Sequence, residues 1–161
     1  MIFLTLTLGL LAGYVAFSLA AVFRNRRAGK EVLREKYGKT GLSKEFSMEL
    51  RTKLISLMEH DKPYLDANMR LDTIAHLLDV SRHHASQIIN EHFSLHFFDF
   101  INMYRVREAA QLLSTARKRD SIADIAYQCG FNNRISFYKA FKKIRGVSPS
   151  EFRENYLTKD Q

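Results

Sequence analysis

The sequence predicts an all-α protein, with two helix-turn-helix units joined by a linker helix and one N-terminal transmembrane helix ahead of them. Three observations carry this. Residues 1–23 contain no charged residue, and 18 of the 23 are apolar. A helix-period apolar pattern in the second half returns after an interval of 51 residues. Seven Gly, two Pro and one Cys in 161 residues exclude a disulfide scaffold, a multi-cysteine zinc ribbon and a Pro/Gly-rich disordered chain. The 25 Lys and Arg against 17 Asp and Glu give a formal charge of +8, which favours an acidic partner surface over a neutral one.

Residues 1–23, as a helix of roughly 35 Å, would cross a hydrocarbon core of roughly 30 Å. Arg24, Arg26, Arg27 and Lys30 follow at once, and residues 24–60 hold ten Lys or Arg against five Asp or Glu. By the positive-inside rule the rest of the chain is cytoplasmic, so the expected protein is single-pass in a cytoplasmic membrane. A cleaved secretory signal is a competing reading, with small residues at Ser18-Leu19-Ala20. Its basic cluster would precede the apolar run, whereas here it follows, as in a stop-transfer sequence. The run also suits the last span of a longer, multi-pass sensor. Gly9 and Gly13 make a GxxxG step that Ala16 and Ala20 continue, a stripe on which two copies could pair as a homodimer. Small residues are nevertheless common in any span.

Residues 24–42 alternate charges and carry Gly29, Gly38 and Gly41, so they read as a basic juxtamembrane tether near anionic headgroups. Residues 43–60 read as a connecting helix. Ser43 is its N-cap, and Phe46, Leu50, Leu54, Leu57 and Met58 recur at helical spacing before Asp61-Lys62-Pro63 breaks it.

The soluble domain is expected over 61–157, with 158–161 as a tail. Leu71, Ile74, Ala75 and Leu78 mark one apolar face, and Ile122, Ile125, Ala126 and Cys129 repeat it. An apolar turn residue follows each short helix, Val80 and Phe131, and then a polar cap, Ser81 and Asn132. A second helix then buries Ala85, Ile88 and Ile89 in one copy and Phe137, Ala140 and Phe141 in the other. Between the copies Val106, Ala109, Ala110 and Leu113 place a linker helix over about 99–114. Ser148-Pro149-Ser150-Glu151 combines an N-cap, a proline at the first helical position and a Glu at N3, so a closing helix starts there.

A short helix, a tight turn and a second helix with a narrow apolar face is a plan whose second helix can enter a major groove. Opposite the apolar face, the first copy carries Arg82, His83, Ser86, Gln87 and Asn90, and the second Arg134, Ile135, Tyr138, Lys139 and Lys142. These positions include donors for base edges and phosphates and no acidic residue. Residues 105–145 hold ten Lys or Arg against three Asp or Glu, so the basic excess flanks the second reader. A membrane-bound helical scaffold that binds protein is the alternative class.

The stretch Phe100 to Val106 with Ala109 and Leu112-Leu113, then Ile122-Ala123-Asp124-Ile125-Ala126, Gly130-Phe131, Phe137, Phe141-Lys142-Lys143 and Gly146 to Arg153, resembles the C-terminal DNA-binding domain of AraC/XylS-type transcriptional regulators. The resemblance covers roughly Tyr64 to Tyr156. It implies a bacterial regulator in which each unit reads one of two successive major grooves of double-stranded DNA, with RNA polymerase as a further partner. Carried over by position, base-edge contacts fall to His83, Ser86 and Gln87 and to Arg134, Ile135, Tyr138 and Lys139. Ser94 stands where the family usually has Gly, which implies a left-handed serine at a cost of about 1 kcal/mol. Ala85 stands where a larger core residue is common, and a membrane span takes the place of a sensor domain.

No catalytic, cofactor or metal site is expected. His83-His84 and His92 with His96 lack the third and fourth ligands that zinc needs. Cys129 sits at a core position of the repeat, where burial outweighs redox chemistry. A Gly-rich phosphate loop, a nucleophile elbow and a paired-carboxylate pocket are all missing, which argues against an enzyme.

Overall fold

The computed structural model describes residues 42–115 and 120–157, and these form helices and turns without a strand. The expected span, its Gly9 and Gly13 stripe, nearly all of the tether, the basic run at 117–119 and the tail lie outside the described residues. Among the described residues no helix is long and apolar enough to cross a membrane.

The first helix, α1 (Lys44–Ser56), starts where Ser43 accepts a hydrogen bond from the Phe46 amide. It runs on as a wide π-turn through Leu57–Asp61 and stops at Lys62, which is left-handed with φ 48°. Pro63 then opens a short 3-10 turn, as a residue without an amide donor can. Leu50, Leu54 and Met58, four residues apart, are buried, whereas Phe46 is 44% exposed and falls outside the apolar face expected of it. The helix read as a connector thus packs its buried face into the first core.

The first unit pairs α2 (Leu71–Leu78) with α3 (Arg82–Phe93), and the second pairs α5 (Ile122–Gln128) with α6 (Arg134–Arg145). The turns match atom for atom at their start. Asp79 and Gly130, 51 positions apart, are both left-handed, and the next amide reaches back five residues: Val80 to the Ala75 carbonyl at 2.9 Å, Phe131 to that of Ala126 at 3.0 Å. Ser81 caps α3 as expected. The second cap is Asn133, not Asn132, because the second turn is one residue longer and Asn132 points elsewhere.

The linker, α4 (Phe97–Thr115), is about 28 Å long at roughly 1.5 Å per residue. It serves two cores in succession. Phe100, Ile101 and Tyr104 join Leu54, Ile74, Ile88 and their neighbours, and Val106, Ala109, Ala110 and Leu113 join Ile125, Cys129, Phe137 and Phe141. Each fully buried Leu, Ile or Phe contributes about 1.5–3 kcal/mol, so both lobes hold α4 firmly. The closing helix α7 (Pro149–Leu157) has the expected capping box: the Glu151 amide donates to Ser148 Oγ, and the Ser148 amide donates to Glu151 Oε2 at 2.7 Å. It packs across the second lobe through Phe152, whose ring stands 5.4 Å from that of Phe141.

Candidate nucleic-acid interface

In each unit the buried stripe of the second helix fixes which side chains face away from the core. Ala85, Ile88 and Ile89 turn inward on α3, as do Phe137, Ala140 and Phe141 on α6. Phe137 anchors the second helix hardest, with the rings of Phe131 and Phe141 edge-on at 5.1 and 5.5 Å.

On α6 the five expected residues fall on one outward arc. Arg134, Ile135, Lys139 and Lys142 are exposed, Ile135 by 68%. Tyr138 is half-buried and works as a strut. Its hydroxyl lies 3.2 Å from Ser150 Oγ at the start of α7, Arg134 Nη2 donates to it at 3.2 Å, and the guanidinium lies 5.1 Å from its ring centroid. Burial acts to raise the Tyr138 pKa. The hydrogen bonds with Ser150 and Arg134, together with the Arg134 charge, outweigh it and hold the hydroxyl below the ordinary tyrosine value. Lys143, in the last turn of the helix, is tied to Asp99 at 2.6 Å, and Arg145 lies over Phe152.

On α3 the outcome is mixed. His83 is exposed and Ser86 half-buried. Arg82 is exposed and pairs with Asp72 of α2 at 3.1 Å. An exposed pair of this kind contributes little, so its guanidinium can exchange the carboxylate for another anion at small cost. Gln87 and Asn90 correct the expectation of an open polar face: they are 5% and 7% exposed. The physical reason is hydrogen-bond satisfaction. Asn90 folds back on its own helix, Nδ2 donating to the Ser86 carbonyl at 2.9 Å and to Ser86 Oγ at 3.3 Å, and among the described residues no buried side-chain nitrogen or oxygen, those of Gln87 included, lacks a hydrogen-bond partner. A satisfied amide tolerates burial.

Two histidine readings resolve differently. His83 and His84 stand side by side, with ring centroids 6.1 Å apart. His92 does more than end its helix, because its Nε2 lies 2.7 Å from Ser47 Oγ and so ties α3 to α1. Among the described residues no group of three or more His, Cys, Asp or Glu is placed to hold a metal ion. Cys129 is fully buried, as expected.

Sequence reasoning named Asn132 as a cap and placed Arg105 and Gly130 within the family resemblance, but missed that these three residues tie the units together. Their partners are backbone carbonyls 39 to 66 positions away, which leave no local signal.

Comparison with known proteins adds a family. The helix-turn-helix domain family matches residues 74–155, about half of the chain. The Msm operon regulatory protein of Streptococcus mutans is 33% identical over 88 residues, which are 55% of this chain and 31% of that protein. The C-terminal domain of AraT, a response regulator from Geobacillus stearothermophilus, superposes with a TM-score of 0.55 at 27% identity, over 68% of this chain and 84% of that one. A transcriptional regulator from Chromobacterium violaceum with an AraC-type DNA-binding domain shares the fold, with a TM-score of 0.58 at 24% identity over 68% of this chain and 94% of that one. The chain spans about a third or less of the length of the curated relatives it matches.

Proposed function

Because the chain belongs to the helix-turn-helix domain family in its AraC-type form, we propose that it is a sequence-specific transcriptional regulator whose two second helices read successive major grooves. The observation that carries this reading is the doubling itself: two units with equivalent capped turns, held on one continuous helix. The Msm operon protein of Streptococcus mutans and the matching HptR proteins of Staphylococcus aureus are regulatory proteins by name, not enzymes.

In the second unit Arg134, Ile135 and Lys139 are the base-edge readers, Tyr138 holds Arg134 in place, and Lys142 meets the phosphates. In the first, His83 and Ser86 read, and Arg82 takes a phosphate in place of Asp72. Gln87 reaches a base edge only once its amide is released. Enrichment of randomised duplex DNA on the full chain tests this. The expected product is a bipartite motif with its halves about 10 bp apart. Failure to enrich any sequence at low salt removes the regulator and favours the protein-binding scaffold.

The charge-free residues 1–23 followed by Arg24, Arg26 and Arg27 support a finer proposal: the regulator is anchored at the cytoplasmic face of a bacterial membrane, with Gly9 and Gly13 as a pairing face. Membrane fractionation of the native chain tests the anchor, and recovery in the soluble fraction removes it together with the pairing face.

A further inference from the structure

Residues 62–67, between α1 and α2, run along the flank of α4 and meet the turn of the second unit. Arg105 of α4 donates from Nε to the Tyr64 carbonyl at 2.7 Å and from Nη2 to the Asp66 carbonyl at 2.8 Å. Its guanidinium lies 5.6 Å from the ring centroid of Phe131, in the second turn. Asn132, the residue by which that turn exceeds the first, donates from Nδ2 to the Ala67 carbonyl at 3.2 Å. Gly130 packs so tightly here that a Cβ would stand 2.5 Å from the Tyr64 oxygen and 2.8 Å from that of Leu65. On the other side Lys62 Nζ and the Tyr64 hydroxyl both donate to the Glu108 carboxylate, at 2.9 and 3.1 Å.

Three carbonyls of one irregular segment in the first lobe thus find their donors on the linker and on the second lobe. Backbone carbonyls outside helices need such partners, and the rigid planar fork of an arginine serves two of them at once where a lysine's point charge cannot. A helix running through two cores sets their separation along its axis. The side chains that each core buries on it set the approximate rotation of each lobe as well, and the contacts that cross between the lobes restrain what rotation is left.

We propose that this joint, centred on Arg105, fixes the angle between the two helix-turn-helix units, so that Arg105 and Asn132 are positioning residues for DNA spacing. They determine at what rotation about the duplex the two half-sites must lie, without touching DNA themselves. The spacing consequence rests on the DNA-reading function proposed above; the geometry of the joint does not.

Two readouts test it on the full chain. Nitroxides on Glu91→Cys in α3 and Ser136→Cys in α6 report the distance between the units without DNA, and the native Cys129 is fully buried and stays unlabelled. The parent should give one narrow distribution, and Arg105→Gln and Asn132→Ala should broaden it. On the selected bipartite site, a 2 bp insertion, which rotates one half-site by about 70°, should cost the parent about tenfold in affinity and the variants about threefold or less. Binding to a single half-site should be unchanged. Distance distributions identical to the parent's, or an undiminished insertion penalty, overturn the proposal. If Arg105→Gln loses its helical circular dichroism, the exposed Asn132→Ala substitution decides by the same two readouts. If the parent selects no DNA sequence, the regulator reading fails by itself, and the distance measurement still judges the joint.

Discussion

Ser94 ends α3 with φ 57° and ψ 32°, its amide bonded to the Asn90 carbonyl at 3.0 Å. That is the left-handed serine implied by the resemblance to a family with Gly at this position, a conformation costly for any residue with a Cβ. Ser94→Gly should therefore stabilise the chain by about 1 kcal/mol, less some loss through a more flexible unfolded state. Urea denaturation reads this directly, and a destabilised variant would count against the strain. Two buried acids behave in a linked way at high pH. Burial, then the Glu108 charge, pushes the Cys129 thiol up to about 12, and burial, then the hydrogen bond to Glu108, pushes the Tyr64 hydroxyl up to about 12. The fold favours the neutral form of both. The stability this supplies is complete below the ordinary values of 9.0 and 10.0 and is lost as pH rises through them toward 12. Urea midpoints should fall over that window, and Tyr64→Phe should fall less steeply. Parallel curves would remove Tyr64 from the account.

The start of α7 shows how one element braces another. Ser148, Pro149 and Glu151 define it locally, while Ser150 meets the hydroxyl of Tyr138 on α6 and Phe152 stands edge-on to Phe141. Ser148→Ala should cost about 1 kcal/mol, as loss of a helix cap does. The amide and then the hydroxyl of Ser148 hold the Glu151 carboxyl below the usual carboxylate value of 4.5. A depressed acid stabilises the fold above its unfolded pKa, so this contribution is present at neutral pH and lost as pH falls below about 4.5. Denaturation at pH 7 and pH 3 should show a smaller difference for Ser148→Ala than for the parent; an equal difference would mean that the box does not couple to acid stability.

Two lobes on one linker make the readers separable in energy but not in position. Arg134→Ala should relax specificity in one DNA segment only, at a cost of about 1–3 kcal/mol, because a base-edge contact carries sequence information. Lys142→Ala should weaken all sequences alike and flatten the salt dependence, because a phosphate contact does not. Binding to systematically mutated operators at two salt concentrations distinguishes them. If Arg134→Ala lost affinity uniformly, Arg134 would be reassigned to the backbone.

The sequence by itself determined the helices, all but one of the caps it named and the core faces of the two repeated units, since these rest on signals within a few residues of each other. Ile74, Ala75 and Leu78 on one face, Phe137, Ala140 and Phe141 on another, and the Ser148-to-Glu151 box are all legible from spacing and residue type. The outward arc of α6 was legible for the same reason. Tertiary structure alone decided what depends on partners far along the chain: that Asn133 rather than Asn132 caps α6, that α1 belongs to the first core, and that Arg105 spans the two lobes. Gln87 and Asn90 make the same point, for helical period places them opposite the core and says nothing about how their amides are satisfied. Periodicity reports which way a side chain points; only the folded chain reports what it meets there.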